Sequence, residues 1–146
     1  MPISVLIVDD NEVLRDTLRR MLDSFDDLQV VAEAGDGAAA IALAEKHKPN
    51  VAVLDIGMKG MTGIEAARRI LGISPRTAVL MLTVYNIEPY VVRSLQAGAR
   101  GYLLKESLDP DELAEAIRTV SRGGYYFSSA VRSALPDHAV PTPVSS

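Results

Sequence analysis

Cysteine is missing from all 146 residues. That rules out disulfides and thiolate metal sites, and it fits a reducing compartment. Histidine is scarce: His47 and His138 stand far apart, near a helix end and in a tail, so no histidine metal site is expected. No apolar run approaches the roughly 20 residues that a membrane-crossing helix requires. The apolar segment from Val5 to Val8 is too short for a signal peptide core and meets Asp9-Asp10 at once, which points to the cytoplasm and to no membrane partner. Positive charge is neither abundant nor gathered: net charge is -4 with a pI near 5.1, which argues against nucleic-acid binding by this segment alone. What is present, 48% hydrophobic and 23% charged residues, suits one domain with a sizeable core.

The chain alternates between two periodicities. Ser4 to Val8 is a β-rich apolar run; after Asn11, Leu14, Leu18, Met21, Leu22 and Phe25 recur at helical spacing. Arg15, Arg19 and Arg20 make a basic stripe on that helix, read first as a solvated face and second as a kinase-docking surface. Leu28 to Ala34 is the next strand, and Asp36 is placed to cap an alanine-rich helix running to about Lys46. Val51-Ala52-Val53-Leu54 follows Pro49-Asn50 and reads as a strand covered on both faces, ending in Asp55. Met58 and Met61 read as loop packing. A helix from about Gly63 to Leu71 is broken at Ser74-Pro75. Thr77 to Leu82 forms a strand ending at Thr83, and a helix from about Glu88 to Ala97 stops at Gly98. Gly101 to Leu104 is the fifth strand and ends at Lys105. Asp109-Pro110-Asp111-Glu112 then carries an N-cap, a first-turn proline and an acid at the third helical position.

Strand and helix thus alternate five times, with connections short enough to demand right-handed crossovers and a parallel α/β sheet with helices on both faces. Three segments are expected: a main domain over 1–122, a short helical extension over 123–135 beginning at Ser128 or Ser129, and a proline-rich linker or tail over 136–146.

In such a sheet every strand's C-terminal end lies on one edge, where ligands bind. Asp9 and Asp10, Asp55, Thr83 and Lys105 therefore converge. Singly, each has an ordinary reading: Asp55 as a turn former, Thr83 as a β-branched strand residue, Lys105 as a surface charge. Together they form a coherent chemistry. Three gathered carboxylates repel one another and call for raised pKa values, a cation or a lysine. Mg2+ suits an all-oxygen pocket, while a lysine and a hydroxyl suit phosphoryl oxygens. A carboxylate attacks phosphorus to give an aspartyl phosphate, a reaction that needs mainly positioning and charge neutralisation.

These residues carry a resemblance. From about Ile3 to Val120 the chain resembles the receiver domain of bacterial two-component response regulators. Val8-Asp9-Asp10 is similar to that family's acidic pair, Asp55-Ile56-Gly57-Met58 with Gly63 to its phosphoacceptor loop, Leu82-Thr83-Val84 to its switch threonine, and Tyr102-Leu103-Leu104-Lys105 to its aromatic and lysine. Gly98 to Glu106, with Gly123-Gly124-Tyr125-Tyr126-Phe127, is most similar to the NarL/FixJ/LuxR subgroup. The resemblance implies a flavodoxin-like (CheY-like) five-stranded parallel sheet of order 2-1-3-4-5. It implies that a sensor histidine kinase phosphorylates Asp55, and that Mg2+ is held by Asp10, Asp55 and the Gly57 carbonyl, with Asp9 acting through water. Thr83 and Tyr102 would then move as a switch, a homodimer would form on phosphorylation, and DNA would be reached only through a C-terminal helix-turn-helix. The protein would not be a turnover enzyme.

Two positions depart from the family pattern: Lys59 and Glu106 stand where proline is usual or frequent. The sequence also stops before a helix-turn-helix, and its linker-like end favours a receiver that belongs to a longer regulator over a stand-alone interaction module. Other rivals fit less well. A haloacid-dehalogenase-type phosphatase expects a second Asp where Gly57 stands. A flavodoxin-like FMN carrier needs a phosphate loop where Asp9-Asp10-Asn11-Glu12 would repel the phosphate. Tyr85, two residues after Thr83, is placed to shield an acyl phosphate from water.

Overall fold

The structure, a computed structural model, describes residues 2–85 and 88–134. Its elements follow one another as β1 (Ile3–Val8), α1 (Glu12–Asp23), β2 (Leu28–Ala34), α2 (Gly37–His47), β3 (Val51–Leu54), α3 (Gly63–Ile73), β4 (Ala78–Thr83), α4 (Glu88–Gln96), β5 (Gly101–Leu104), α5 (Pro110–Ser121), β6 (Tyr126–Phe127) and α6 (Ser129–Ala134). A short 3-10 turn, Lys105–Ser107, joins β5 to α5.

Local chemistry explains where the helices begin. The side chains of Asn11, Asp36, Thr62 and Asp109 accept hydrogen bonds from the main-chain N–H groups of Leu14, Ala39, Glu65 and Glu112, satisfying donors that a first turn leaves unpaired. Pro110 occupies the first turn of α5, where its missing N–H costs nothing. Gly98 ends the α4 segment with φ of 104°, in the left-handed region that a side chain would resist.

All the strand pairs are parallel, and the sheet order is β2-β1-β3-β4-β5-β6. The expected order 2-1-3-4-5 is present, and β6 lengthens the sheet at its β5 edge. The sequence offered no sign of that strand, because two residues carry no period. The helix after it, Ser129–Ala134, follows two strand residues of the segment that the sequence suggested would be helical. The proline-rich stretch expected over 136–146 lies outside the described residues.

Alternate strand residues feed two apolar layers. Val5, Ile7, Val53, Leu80, Leu82 and Leu103 pack with Leu18 and Leu22 of α1 and Leu113, Ile117 and Val120 of α5. Leu6, Val8, Leu54, Met81, Tyr102 and Leu104 pack with residues of α2, α3, α4 and α6 on the other face. Both faces of β3 are covered, so all four of its residues are buried. The only direction left for its chain is out at the C-terminal edge, with Asp55 leading.

Candidate phosphoacceptor site

At that edge the carboxylates of Asp9, Asp10 and Asp55 come together, each offering an oxygen within 4.8 Å of the others. Asp9 and Asp55 are buried at 2% and 7% exposure, whereas Asp10 is open to solvent. Two buried like charges need compensation. Lys105 supplies it: its Nζ lies 2.6 Å from Asp9 Oδ2 and 3.1 Å from Asp55 Oδ2. Burial by itself would lower the lysine pKa, but the hydrogen bond to Asp9 and the charge of Asp55 outweigh it and hold the ammonium above its ordinary value.

Main-chain donors orient the acids further. The Asn11 N–H donates to Asp9 Oδ1 at 2.8 Å, and the Gly57 N–H donates to Asp55 Oδ1 at 3.3 Å. Arg15 Nη1 donates to the Asp9 carbonyl at 2.5 Å, so one member of the basic stripe braces the acidic loop. Gly63 lets the loop after β3 fold back. Its N–H donates to the Ile56 carbonyl, and a Cβ there would lie 1.9 Å from the Asp55 carbonyl oxygen.

The next strands bring the remaining candidates. Thr83 ends β4 with no exposed surface, and its Oγ1 accepts from the Tyr85 N–H at 3.3 Å, which leaves the hydroxyl proton with no acceptor among the described residues. Tyr102 is buried at 1% exposure, and its hydroxyl donates to the Tyr85 carbonyl at 2.5 Å. Burial, then the Asp55 charge, raises its phenol pKa well above the ordinary value. The Tyr85 ring stacks on Tyr90 with centroids 5.0 Å apart. It also lies against Gly57, whose absent Cβ would sit 3.0 Å from the ring.

The parts played by Asn11, Arg15 and Tyr90 were not foreseen. For Asn11 a signal existed, an Asx residue directly after the acidic pair and before a helix; Arg15 and Tyr90 had none beyond helical spacing. Arg19 pairs with Asp16 and Glu33, and Arg20 with Asp16 at 3.1 Å, so the rest of the stripe is a paired surface. Met58 is buried and Met61 packs against Gly37, which makes both packing residues. His47 is exposed, and His138 lies outside the described residues. All described peptide bonds are trans, Lys105–Glu106 included.

An acidic triad with a bridging lysine at the mouth of a parallel sheet is therefore a geometric fact. The family model "Response regulator receiver domain" matches residues 5–118. The chain belongs to that family. A receiver is a signalling module and not a turnover enzyme. This one is similar to the nitrate/nitrite response regulator protein NarP of Escherichia coli, 41% identical over 134 residues that make up 92% of this chain and 62% of NarP. It is also similar to the transcriptional regulatory protein DegU of Brevibacillus brevis, 40% identical over 88% of this chain and 54% of DegU. Among solved structures, a LuxR-family two-component response regulator from an Aurantimonas species superposes with a TM-score of 0.86, at 31% identity, covering 91% of this chain and 94% of that one. These relatives place the receiver with the NarL/FixJ/LuxR regulators. It spans a little over half the length of the curated relatives it matches. No described helix is long and apolar enough to cross a membrane.

Proposed function

We propose that the receiver accepts a phosphoryl group on Asp55 and thereby switches the surface around Thr83 and Tyr102. The observation that carries this reading is Lys105, bound at once to Asp9 and Asp55. It holds the reactive carboxylate in place and keeps a positive charge where a phosphoryl oxygen would arrive. An Asp55 oxygen attacks phosphorus, and the bond from phosphorus to a kinase histidine, or to the oxygen of a small acyl phosphate, breaks. The electron pair leaves with the donor.

The donor set fits Mg2+: it is all oxygen, three carboxylates beside the main-chain carbonyl of Gly57, with Asp10 facing solvent so that waters would complete the shell. Asp10, Asp55 and the Gly57 carbonyl would hold the ion, with Asp9 acting through water, and the ion would supply charge neutralisation between carboxylate and phosphoryl group. Thr83 donates its free hydroxyl proton to the modified Asp55, and Tyr102 answers through Tyr85. The Tyr85 ring over Gly57 limits the approach of water to the acyl phosphate.

A cognate sensor kinase follows from the family. A homodimer formed on phosphorylation, a C-terminal DNA-binding helix-turn-helix in the full regulator, and a division into receiver (1–122), extension (123–135) and linker (136–146) complete the proposal. The test is intact mass after incubation with Mg2+ and a small acyl phosphate, beside Asp55→Asn and a chelated sample. One phosphoryl adduct that requires both Mg2+ and Asp55 is expected. An adduct of equal yield on Asp55→Asn would refute the assignment.

A further inference from the structure

The segment after α5 does not leave the domain. It turns at Gly123 and runs back along β5 as β6, where the Tyr126 N–H donates to the Arg100 carbonyl at 3.0 Å and the Ser128 N–H to the Tyr102 carbonyl at 3.2 Å. Arg100 fastens the turn by donating to the Gly123 carbonyl at 2.8 Å, with its guanidinium 5.3 Å from the centre of the Tyr125 ring. The Tyr126 hydroxyl reaches Glu112 on α5 at 3.2 Å. Phe127 and Val131 are buried at 5% and 0% exposure, in the same apolar layer as Tyr102 and Leu104. On β5 these two residues face that layer while Leu103 faces the other, so α6, which rests on β5, covers the Tyr102 side.

Tyr102 is thus held from two directions. Its hydroxyl bonds Tyr85, beyond β4, and its carbonyl bonds Ser128, beyond the opposite flank of β5. A ring that leaves Tyr85 must turn away from β4. In this sheet order the space away from β4 is the side taken by β6 and α6.

We propose that the segment from Gly124 to Ala134 is the receiver's internal effector, with Phe127 and Val131 as positioning residues that hold Tyr102 inward. Docked segment and inward ring form one state; undocked segment and ring turned to the sheet edge form the other. Coupling between two equilibria is reciprocal. Whatever favours the inward ring tightens the segment, and the docked segment favours the inward ring. One feature keeps the docked state from being overly stable: the Ser128 hydroxyl is buried with no hydrogen-bond partner among the described residues. Only the link to phosphorylation rests on the reading of Asp55 given above.

The test uses the whole chain, with amide exchange at Tyr126 and Ser128 as the docking readout and ring-labelled tyrosine spectra as the Tyr102 readout. Val131→Asp is expected to speed both amides by about ten-fold and to shift the Tyr102 ring signals toward solvent-exposed values, with β3 amides still protected. Val131→Ala serves as the milder variant, with a smaller change of the same sign. Ser128→Ala removes the unpaired hydroxyl and is expected to slow exchange at Tyr126 roughly five-fold. A segment freed by Val131→Asp with unmoved Tyr102 signals would overturn the proposal and make the segment a passive cover. In a third sample, a phosphoryl adduct on Asp55, which on the reading above draws Thr83 inward and leaves the space that an inward Tyr102 fills, is expected to slow both amides several-fold, and an adduct without that change would equally overturn the coupling. Absence of any adduct counts against the phosphoacceptor reading alone, and the Val131 and Ser128 variants still decide the effector proposal.

Discussion

The hydroxyl of Tyr102 donates to the main-chain carbonyl of Tyr85 across 2.5 Å, while the N–H of the same Tyr85 donates to Thr83 Oγ1. One loop residue is therefore bonded at both main-chain ends by the two side chains proposed to act as a switch. Inward Tyr102 is a conformation the fold holds by ordinary contacts, so under the proposed function phosphorylation would shift an equilibrium in which this state already exists.

Two pKa shifts predict a common alkaline behaviour. The Tyr102 phenol is raised, first by burial and then by the Asp55 charge, and the Lys105 ammonium is raised because its carboxylate partners outweigh burial. A raised folded pKa gives stability that is fully present below the ordinary values of 10.0 and 10.5 and is lost as pH climbs through the folded values. Urea denaturation at pH 8 to about 11 should show this decline. Tyr102→Phe should flatten it while lowering stability at neutral pH by about 1 kcal/mol through the lost hydrogen bond.

Lys105→Met removes the bridge and leaves Asp9 and Asp55 buried without a counter-charge. The expected cost is about 3 kcal/mol at neutral pH. Added Mg2+ should recover more stability in this variant than in the native receiver, because a cation that binds the folded state alone stabilises it by mass action. Thermal melts with Mg2+ and with chelator read the difference; equal shifts in both proteins would count against cation binding at these carboxylates.

Gly63→Ala should be among the most damaging single-methyl changes in the chain. The added carbon would stand 1.9 Å from the Asp55 carbonyl oxygen, and that neighbour is main chain, not a flexible side-chain end. A loss of about 3 kcal/mol is expected, or roughly 10 °C in Tm. Gly72→Ala, where nothing among the described residues lies within 4 Å, is the control and should change little or gain helix stability.

Thr83→Ala should leave adduct formation on Asp55 intact and blunt the response that follows it. The variant lacks the hydroxyl proton offered to the phosphoryl group and the acceptor used by the Tyr85 N–H. Sedimentation of the phosphorylated protein should show a weaker shift toward dimer than in the native receiver. An unaltered shift would remove Thr83 from the switch.

Local chemistry and chain-connection rules account for most of the framework. Apolar runs that change from continuous to helical spacing place the five main strands and their helices. Asp36 and Asp109-Pro110 mark helix starts because a cap is written in a few adjacent residues. Alternating strands and helices make the strands parallel, so Asp9, Asp10, Asp55, Thr83 and Lys105 had to share one edge, and the acidic cluster with its lysine was legible in the chain itself. The rest depends on packing between elements far apart in the chain. The strand β6 is two residues long and exists only because Arg100, directly before β5, and Tyr102 on it offer carbonyls to Tyr126 and Ser128. The inward ring of Tyr102, the stack of Tyr85 on Tyr90 and the brace from Arg15 to Asp9 depend on neighbours that are remote in the chain or set by rotamer choice. Periodicity carries no information about which of two rotamers a buried ring selects; the space left by the elements around it does.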